Sequence, residues 1–437
     1  MYTSHIGKRF VNLVNRKTKQ KTTVGEYFQG PYFKLFFDNA KYLQSPANTP
    51  LFQLIARRKT KDAKARKEGL KAIQSKIADF AAKENSLPDM SFAIGYPSAD
   101  LIGTTSGQVS NIILPLEDED MFASWVGSAF GIGIQGGLNI LIDNDDLMLL
   151  LEEGWEIYRK YVNQNDGIDN KIETWNGIWL CHCLDQDFNP KTPTAHFKPV
   201  TQGKKGEAVL ERTPWTRTIF ALAKRFPKTV LTGYVYSFGQ MNKTMGFVQL
   251  NLPEVRRLSD AYKLLFGKVD ALKNQRLDEI YQAERGFTFA CEQGVTGLRC
   301  IEPKGLRKYM PSRTDKNEFP KEKQNSESQI NNSIYISWIV AMLNNKDLLS
   351  LAEKASAMLR SYVGGEKQAK KTRSNTVDKV LNARNRRELV ESLTAIVEDD
   401  PSTADVCNSL VHEAMLNIAS DSVPLFVTLI RFKYALP

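Results

Sequence analysis

Long apolar runs are missing from this chain: no stretch reaches the roughly 20 residues needed to span a bilayer, and the start MYTSHIGKRF has no signal-peptide hydrophobic core. A cytoplasmic protein without membrane spans is the expectation. Cysteine is also sparse. Five residues, Cys181, Cys183, Cys291, Cys300 and Cys407, are an odd number in a 437-residue chain, which does not describe a secreted disulfide framework. The four histidines, His5, His182, His196 and His412, are never followed by aspartate, so a His-Asp metal pair is absent. Hydrophobic content of 42% and charged content of 25% are ordinary, which excludes disordered and collagen-like classes.

Acidic charge is the last shortfall. Fifty-nine lysines and arginines face 49 aspartates and glutamates, a net charge of +10, so polyanions are the natural partners. The excess sits in three places. Residues 1–21 carry Lys8, Arg9, Arg16, Lys17, Lys19 and Lys21 with no acid. Residues 57–76 carry nine bases, among them Arg57, Arg58 and Lys59, against Asp62 and Glu68. Residues 346–387 carry eleven against four, concentrated at Lys367, Lys370, Lys371, Arg373, Arg384, Arg386 and Arg387. Such strips track a phosphate backbone, or are solvated faces. The aromatic set Tyr27, Phe28, Tyr32, Phe33, Phe36 and Phe37 beside the first strip is read as core, with base stacking as the alternative.

The pattern predicts an α+β protein: an N-terminal and central α/β core followed by an all-α helical bundle. Its centre is the stretch 117–161. An acidic run precedes a helix over 121–130; Leu138 to Ile142 is an apolar run that reads as a strand covered on both faces; a helix follows from about Asp146 to Val162. Residues 1–89 are read as a basic N-terminal region, 90–302 as the central domain, 303–329 as an exposed linker and 330–437 as the bundle. Short strands are expected between Met90 and Leu116, around the loop Thr104, Thr105, Ser106 and Gln108, whose side chains suit hydrogen bonding to base edges or phosphates. Pro190–Gly206 is read as a long loop, Pro214–Phe226 as a helix, Thr229–Phe238 as a strand and Leu258–Tyr281 as a long helix. The turn Lys367–Asn375 joins bundle helices, and Asn375–Leu381 is a helix.

Three further patterns carry chemistry. Gly131, Gly133 and Gly136 spell G-x-G-x-x-G, but they follow a helix and open a strand, the reverse of a dinucleotide-binding loop. Asp143, Asp145 and Asp146 at a strand end fit a metal-dependent nucleotidyl or phosphoryl transferase; the plainer reading is a turn and a helix N-cap. Cys181, Cys183, Cys291 and Cys300 fit a zinc site in residue type but not in spacing, so separate buried thiols are the reading taken, with no cofactor expected.

In Ser124–Trp125 through Gly136–Ile140 to Leu147, and in Leu351–Ala352, the Arg373–Thr376 segment and the late helix Phe426–Tyr434, the chain resembles the large subunit of type I CRISPR effector complexes, subtype I-D above all. The likeness covers about two-thirds of the chain by order of elements. It implies a C-terminal bundle like the family's small subunit. It further implies a role in recognising the protospacer-adjacent motif and holding unwound target DNA (the R-loop), beside a guide-RNA ribonucleoprotein of backbone, small and RNA-capping subunits. Larger family members begin with a His-Asp nuclease domain, which has no counterpart motif here, so the resemblance implies no cleavage and no enzyme activity. By analogy, a large subunit without its nuclease suits RNA-guided targeting for transposition, with a transposition adaptor as partner. The remaining alternative is a structural scaffold whose basic faces meet acidic proteins.

Overall fold

In the computed structural model the described residues are 1–47, 49–82, 93–96, 116–185, 187–237, 243–267, 286–292, 294–312, 318–320, 326–364 and 370–435. They form an α+β protein that divides into two compact units, Met1–Leu252 with Arg285–Thr296 and Pro253–Glu284 with Gly297–Pro437. The N-terminal 89 residues, expected as a region of their own, therefore share a unit with the central core.

In the first unit, helix α1 (Tyr2–Thr18) buries Ser4, Ile6, Gly7, Phe10 and Val11, one helical stripe. This stripe lies on α6 (Asp118–Ser128), which is buried from Met121 to its end. The two helices meet backbone to backbone. A Cβ on Gly7 would collide with the Ala123 carbonyl, and one on Gly127 with the Thr3 carbonyl. Small residues at such a crossing give the closest interaxial approach, and the Ser4 hydroxyl fixes it by donating to the Asp120 carbonyl at 2.6 Å.

Residues 24–36 form one short helical segment: α2 (Val24–Tyr27), a π-helical turn around Pro31 (Phe28–Tyr32) and α3 (Phe33–Phe36). All six aromatics from Tyr27 to Phe37 are buried. The Tyr32 and Phe36 rings stack at 4.2 Å, Phe36 meets Trp155 edge-on at 4.9 Å, and Phe130 lies 4.7 Å from Trp155. These rings are core, and the stacking alternative is excluded because no base can reach them. A hairpin of α4 (Pro50–Ala56) and α5 (Ala63–Ala81) follows.

The sheet has five strands in the order β1-β2-β5-β6-β7. Strands β1 (Ile132–Gly133) and β2 (Asn139–Ile142) are antiparallel, and β2 is buried at every position, as its sequence requires. The turn between them uses Gly136 and Gly137 at φ 87° and 80°, where L-residues are strained. Gly133 is needed for another reason: a Cβ there would lie 2.8 Å from the backbone of Glu173. The glycine motif thus serves a hairpin and a close packing contact. Helix α7 (Asp145–Gln164) is capped by Asn144, whose side chain accepts from the Leu147 amide at 3.1 Å. Helix α8 (Ile172–Cys183) packs on α7 through Trp175 and Trp179, whose indole nitrogens donate to the Gly154 and Leu150 carbonyls. Arg159 of α7 is buried, and its guanidinium donates to the carbonyls of Leu35, Phe36 and Lys41. Burial lowers its pKa to about 10.

The region read as a loop from Pro190 ends in a small hairpin of β3 (Val200–Gln202) and β4 (Ala208–Leu210). Helix α9 (Trp215–Arg225) and β5 (Val230–Ser237) fall where expected. The antiparallel partner β6 (Lys243–Asn251) is an addition to the sequence reading, and β7 (Val295–Thr296) joins it in parallel after α11 (Phe287–Glu292). Of the strands expected between Met90 and Leu116, most lie outside the described residues. Ala93–Tyr96 is not a strand: the Ile94 amide donates to the Ser124 hydroxyl, and its carbonyl accepts from Thr3.

The second unit holds α10 (Leu252–Phe266) and a bundle of α12 (Ser326–Leu343), α13 (Asp347–Val363), α14 (Lys370–Leu381), α15 (Arg386–Asp399), α16 (Ala404–His412) and α17 (Val423–Ala435). Helix α17 is its centre, with Phe426, Val427, Leu429, Ile430 and Phe432 fully covered. The stretch 303–329 read as an exposed linker is anchored at its start: Leu306 is buried, and Tyr335 donates to the Lys304 carbonyl at 2.8 Å. Just before it, Ile301 is buried and its carbonyl accepts from Trp338 at 2.6 Å. The lysines and prolines around Leu306 mask this anchor in the sequence. No helix among the described residues is long and apolar enough to cross a membrane.

Candidate nucleic-acid interface

The three basic strips differ in what their cations already hold. On α1, Lys8 pairs with Asp120 at 2.8 Å, Arg9 with Asp143 at 2.9 Å and Asp145 at 2.8 Å, and Arg16 with Asp145 at 3.2 Å. His5 reaches Asp143 at 2.9 Å. Half of this arm is a brace that ties α1 to α6 through Lys8 and to the turn between β2 and α7 through Arg9 and Arg16. Lys17 and Lys19 remain exposed at its far end.

The same geometry bears on the three aspartates. Asp146 pairs with Arg225 of α9 at 3.2 Å. A divalent ion at Asp143, Asp145 and Asp146 would first have to displace these cations, and among the described residues no group of three or more His, Cys, Asp or Glu could hold a metal. The hydrogen bond from Arg9 lowers the pKa of Asp145. A depressed acid contributes stability above its unfolded value and loses it as pH falls through the folded one. Acid titration should therefore loosen the brace only below the ordinary aspartate range. Asp145→Asn should remove that part of the pH dependence of unfolding; an unaltered acid limb would show that the brace does not bear on stability.

Among the described residues the cysteines join no group of three or more side chains that could hold a metal. Cys181 lies 3.9 Å from the Thr218 hydroxyl, and burial pushes the Cys183 thiol up.

In the C-terminal strip, Lys370 begins α14, so the expected basic turn is helical from that residue on. Arg373 pairs with Asp399 at 2.7 Å and lies over the Tyr362 ring at 4.8 Å. Arg384 pairs with Glu388 and Arg387 with Glu391, each one helical turn away. Arg386 donates to the Ile418 carbonyl at 2.5 Å. Lys370 and Lys371 are exposed. Lys367 and the loop residues Thr104, Thr105, Ser106 and Gln108 lie outside the described residues.

The α4–α5 hairpin is different. Its tip turns at Arg58, which adopts a left-handed φ of 56°. Lys59 donates its amide to Leu54 at 2.8 Å and Arg58 to Ile55 at 3.0 Å, closing α4 as a Schellman motif in which glycine is the usual residue. An arginine there costs backbone strain, and it leaves Arg57, Arg58 and Lys59 together and exposed at the apex. Asp62 spends its carboxylate on the cap of α5, accepting from the amides of Lys64 and Ala65. Gly69 lets the helices close, since a Cβ would lie 2.9 Å from Leu51. Ile73 and Ile77 face inward; Lys64, Lys67 and Lys71, three and four residues apart, form an exposed row on the opposite side. Only Arg66 turns in, to Asp38 at 3.0 Å. Among the described residues no carboxylate pairs with the apex or the row.

The basic strip 57–76 is readable as the face opposite Ile73 and Ile77; within it the structure singles out Lys64, Lys67 and Lys71 as one exposed row. Comparison of the chain with protein-family models, with curated proteins and with solved structures finds no match in any of the three.

Proposed function

We propose that this protein is a non-catalytic large subunit of an RNA-guided CRISPR DNA-targeting complex of type I, acting in the cytoplasm. It would contribute to recognition of the protospacer-adjacent motif and hold the unwound target strand. The observation that carries this reading is the α4–α5 hairpin, with Arg57, Arg58 and Lys59 at its apex and Lys64, Lys67 and Lys71 along one side, free of carboxylate partners among the described residues. In such complexes base pairing with the guide reads the sequence, so the protein needs backbone contacts and a short motif reader rather than an extended base-reading surface. A row of lysines supplies sequence-independent affinity by releasing counterions from phosphates. Target DNA, double-stranded and unwound, and the guide ribonucleoprotein are the partners on this reading; a transposition adaptor follows if the complex marks DNA without cutting it.

Purification of the tagged chain from its host, with sequencing of the RNA that accompanies it, tests the proposal. Short repeat-derived RNAs together with backbone and small subunits are expected. Recovery of the chain without either would overturn the assignment to an RNA-guided complex.

A further inference from the structure

The β5–β6 ladder has two unlike faces. Leu231, Gly233 and Val235 of β5 and Val248 and Leu250 of β6 are buried. The opposite face pairs Tyr234 with Phe247, Thr232 with Gln249 and Val230 with Asn251 across the strands. Directly opposed residues project to the same side. There Phe247 is 59% and Val230 50% exposed, and Thr232 and Gln249 are open to solvent. Register shifts between Val235 and Tyr236, opposite Gly246 at φ 87°, the irregularity from which the strand enters Phe247.

Phe247 does not stand alone. The ring of Tyr2 meets it edge-on at 5.0 Å and lies 5.3 Å from Tyr234, Tyr234 is 5.2 Å from Phe247, and His5 stacks on Tyr2 at 6.0 Å. Three rings from one helix and two strands thus form one aromatic cluster, in which Tyr234 is buried, Tyr2 half-buried and Phe247, the outermost, mostly bare. Neither strand contains aspartate or glutamate, and Lys228 is exposed just before β5. The Asp143 beside His5 is already matched by Arg9.

We propose that this face is a stacking platform for single-stranded nucleic acid, in which a base lies on Phe247 and Tyr2 while Thr232 and Gln249 hydrogen-bond its edge. Aromatic rings on an open antiparallel sheet offer a π-face to any base, and strands without acidic residues, next to an Asp143 already paired with Arg9, admit the phosphates. The core of a protein interface would instead be a contiguous apolar patch; here apolar and polar side chains alternate along the strands. The platform is separate from the α4–α5 hairpin and would add base-dependent affinity to the hairpin's charge-dependent affinity.

The test uses the full chain and single-stranded oligonucleotides carrying 2-aminopurine. Phe247→Ala should weaken binding about tenfold, abolish the change in 2-aminopurine fluorescence and leave the salt slope unaltered. Phe247→Trp should retain both affinity and signal. The effect of Phe247→Ala should vanish on an abasic strand of equal length. Unchanged affinity and fluorescence in Phe247→Ala, or an equal loss on the abasic strand, would overturn the platform, as would a loss confined to a protein partner. Removing Lys64, Lys67 and Lys71 should lower the salt slope and leave the fluorescence change per bound strand in place. Failure of either site is therefore readable apart from the other.

Discussion

Replacing Arg159 by Met should lower the stability of the first unit by about 3–5 kcal/mol, among the larger effects a single substitution can produce. The side chain is 8% exposed, and its donors are divided among the carbonyls of Leu35, Phe36 and Lys41. These carbonyls end a short helical segment and start the loop after it, so they have no helix of their own to bond within. The Phe36 carbonyl also accepts from the Leu43 amide at 3.0 Å, so removing the guanidinium takes the donor from the part-buried Leu35 and Lys41 carbonyls, at about 1–3 kcal/mol for each group left without a partner. Arg159→Lys should recover only part of the loss, since one ammonium cannot span three acceptors in a fixed fork. Urea unfolding followed by tryptophan fluorescence is a suitable measurement, because Trp125, Trp155, Trp175, Trp179 and Trp215 all belong to this unit. A change below about 1 kcal/mol for Arg159→Met would place the site among ordinary surface substitutions and refute the account.

The second large effect is on binding. Each phosphate neutralised on a single strand contributes about −0.7 to the slope of log affinity against log salt. Replacing Lys64, Lys67 and Lys71 together by Ala should therefore flatten the slope by roughly two units if all three contact phosphates. Folding should survive, because the row faces away from Ile73 and Ile77 and none of its members is paired among the described residues. Replacing Lys370 and Lys371 should flatten it by no more than about 1.4 units. Arg373 is left in place because its bond to Asp399 and its position over Tyr362 give it a packing role that would confuse the measurement. Anisotropy titrations of a labelled single strand at several salt concentrations read both variants. A slope unaffected by the α5 triple variant would reduce the hairpin to a solvated face.

The contrast between these basic regions was not legible in the sequence. Composition finds cations, but whether each already has an acid depends on contacts made across long separations: Arg9 and Asp145 are 136 residues apart, and Arg373 and Asp399 are 26 apart. Periodicity did better where one face is buried. The apolar run at β2, the Trp175 and Trp179 helix and the bundle helix at α13 fall where their patterns put them, because burial on a regular element leaves a repeat in the chain. It failed at β6, where Met245, Gly246 and Phe247 interrupt the alternation at a register shift, and at Leu306, an anchor hidden among lysines and prolines. The aromatics from Tyr27 to Phe37 show a further limit: ring type alone does not distinguish a stacking surface from a core, and the exposed platform at Tyr2 and Phe247 draws on residues 245 positions apart.

The sheet's last strand has a consequence for biogenesis. Strand β7 reaches β6 only after the chain has left the first unit at Leu252 and come back at Arg285. During synthesis, β6 is therefore released from the ribosome with its outer edge unsealed, and it stays so until roughly forty further residues have followed. A chain terminated near Leu252 would carry that edge permanently, with the backbone donors and acceptors opposite Val295 and Thr296 available to another copy. Domain boundaries for recombinant fragments should for that reason be drawn after Thr296.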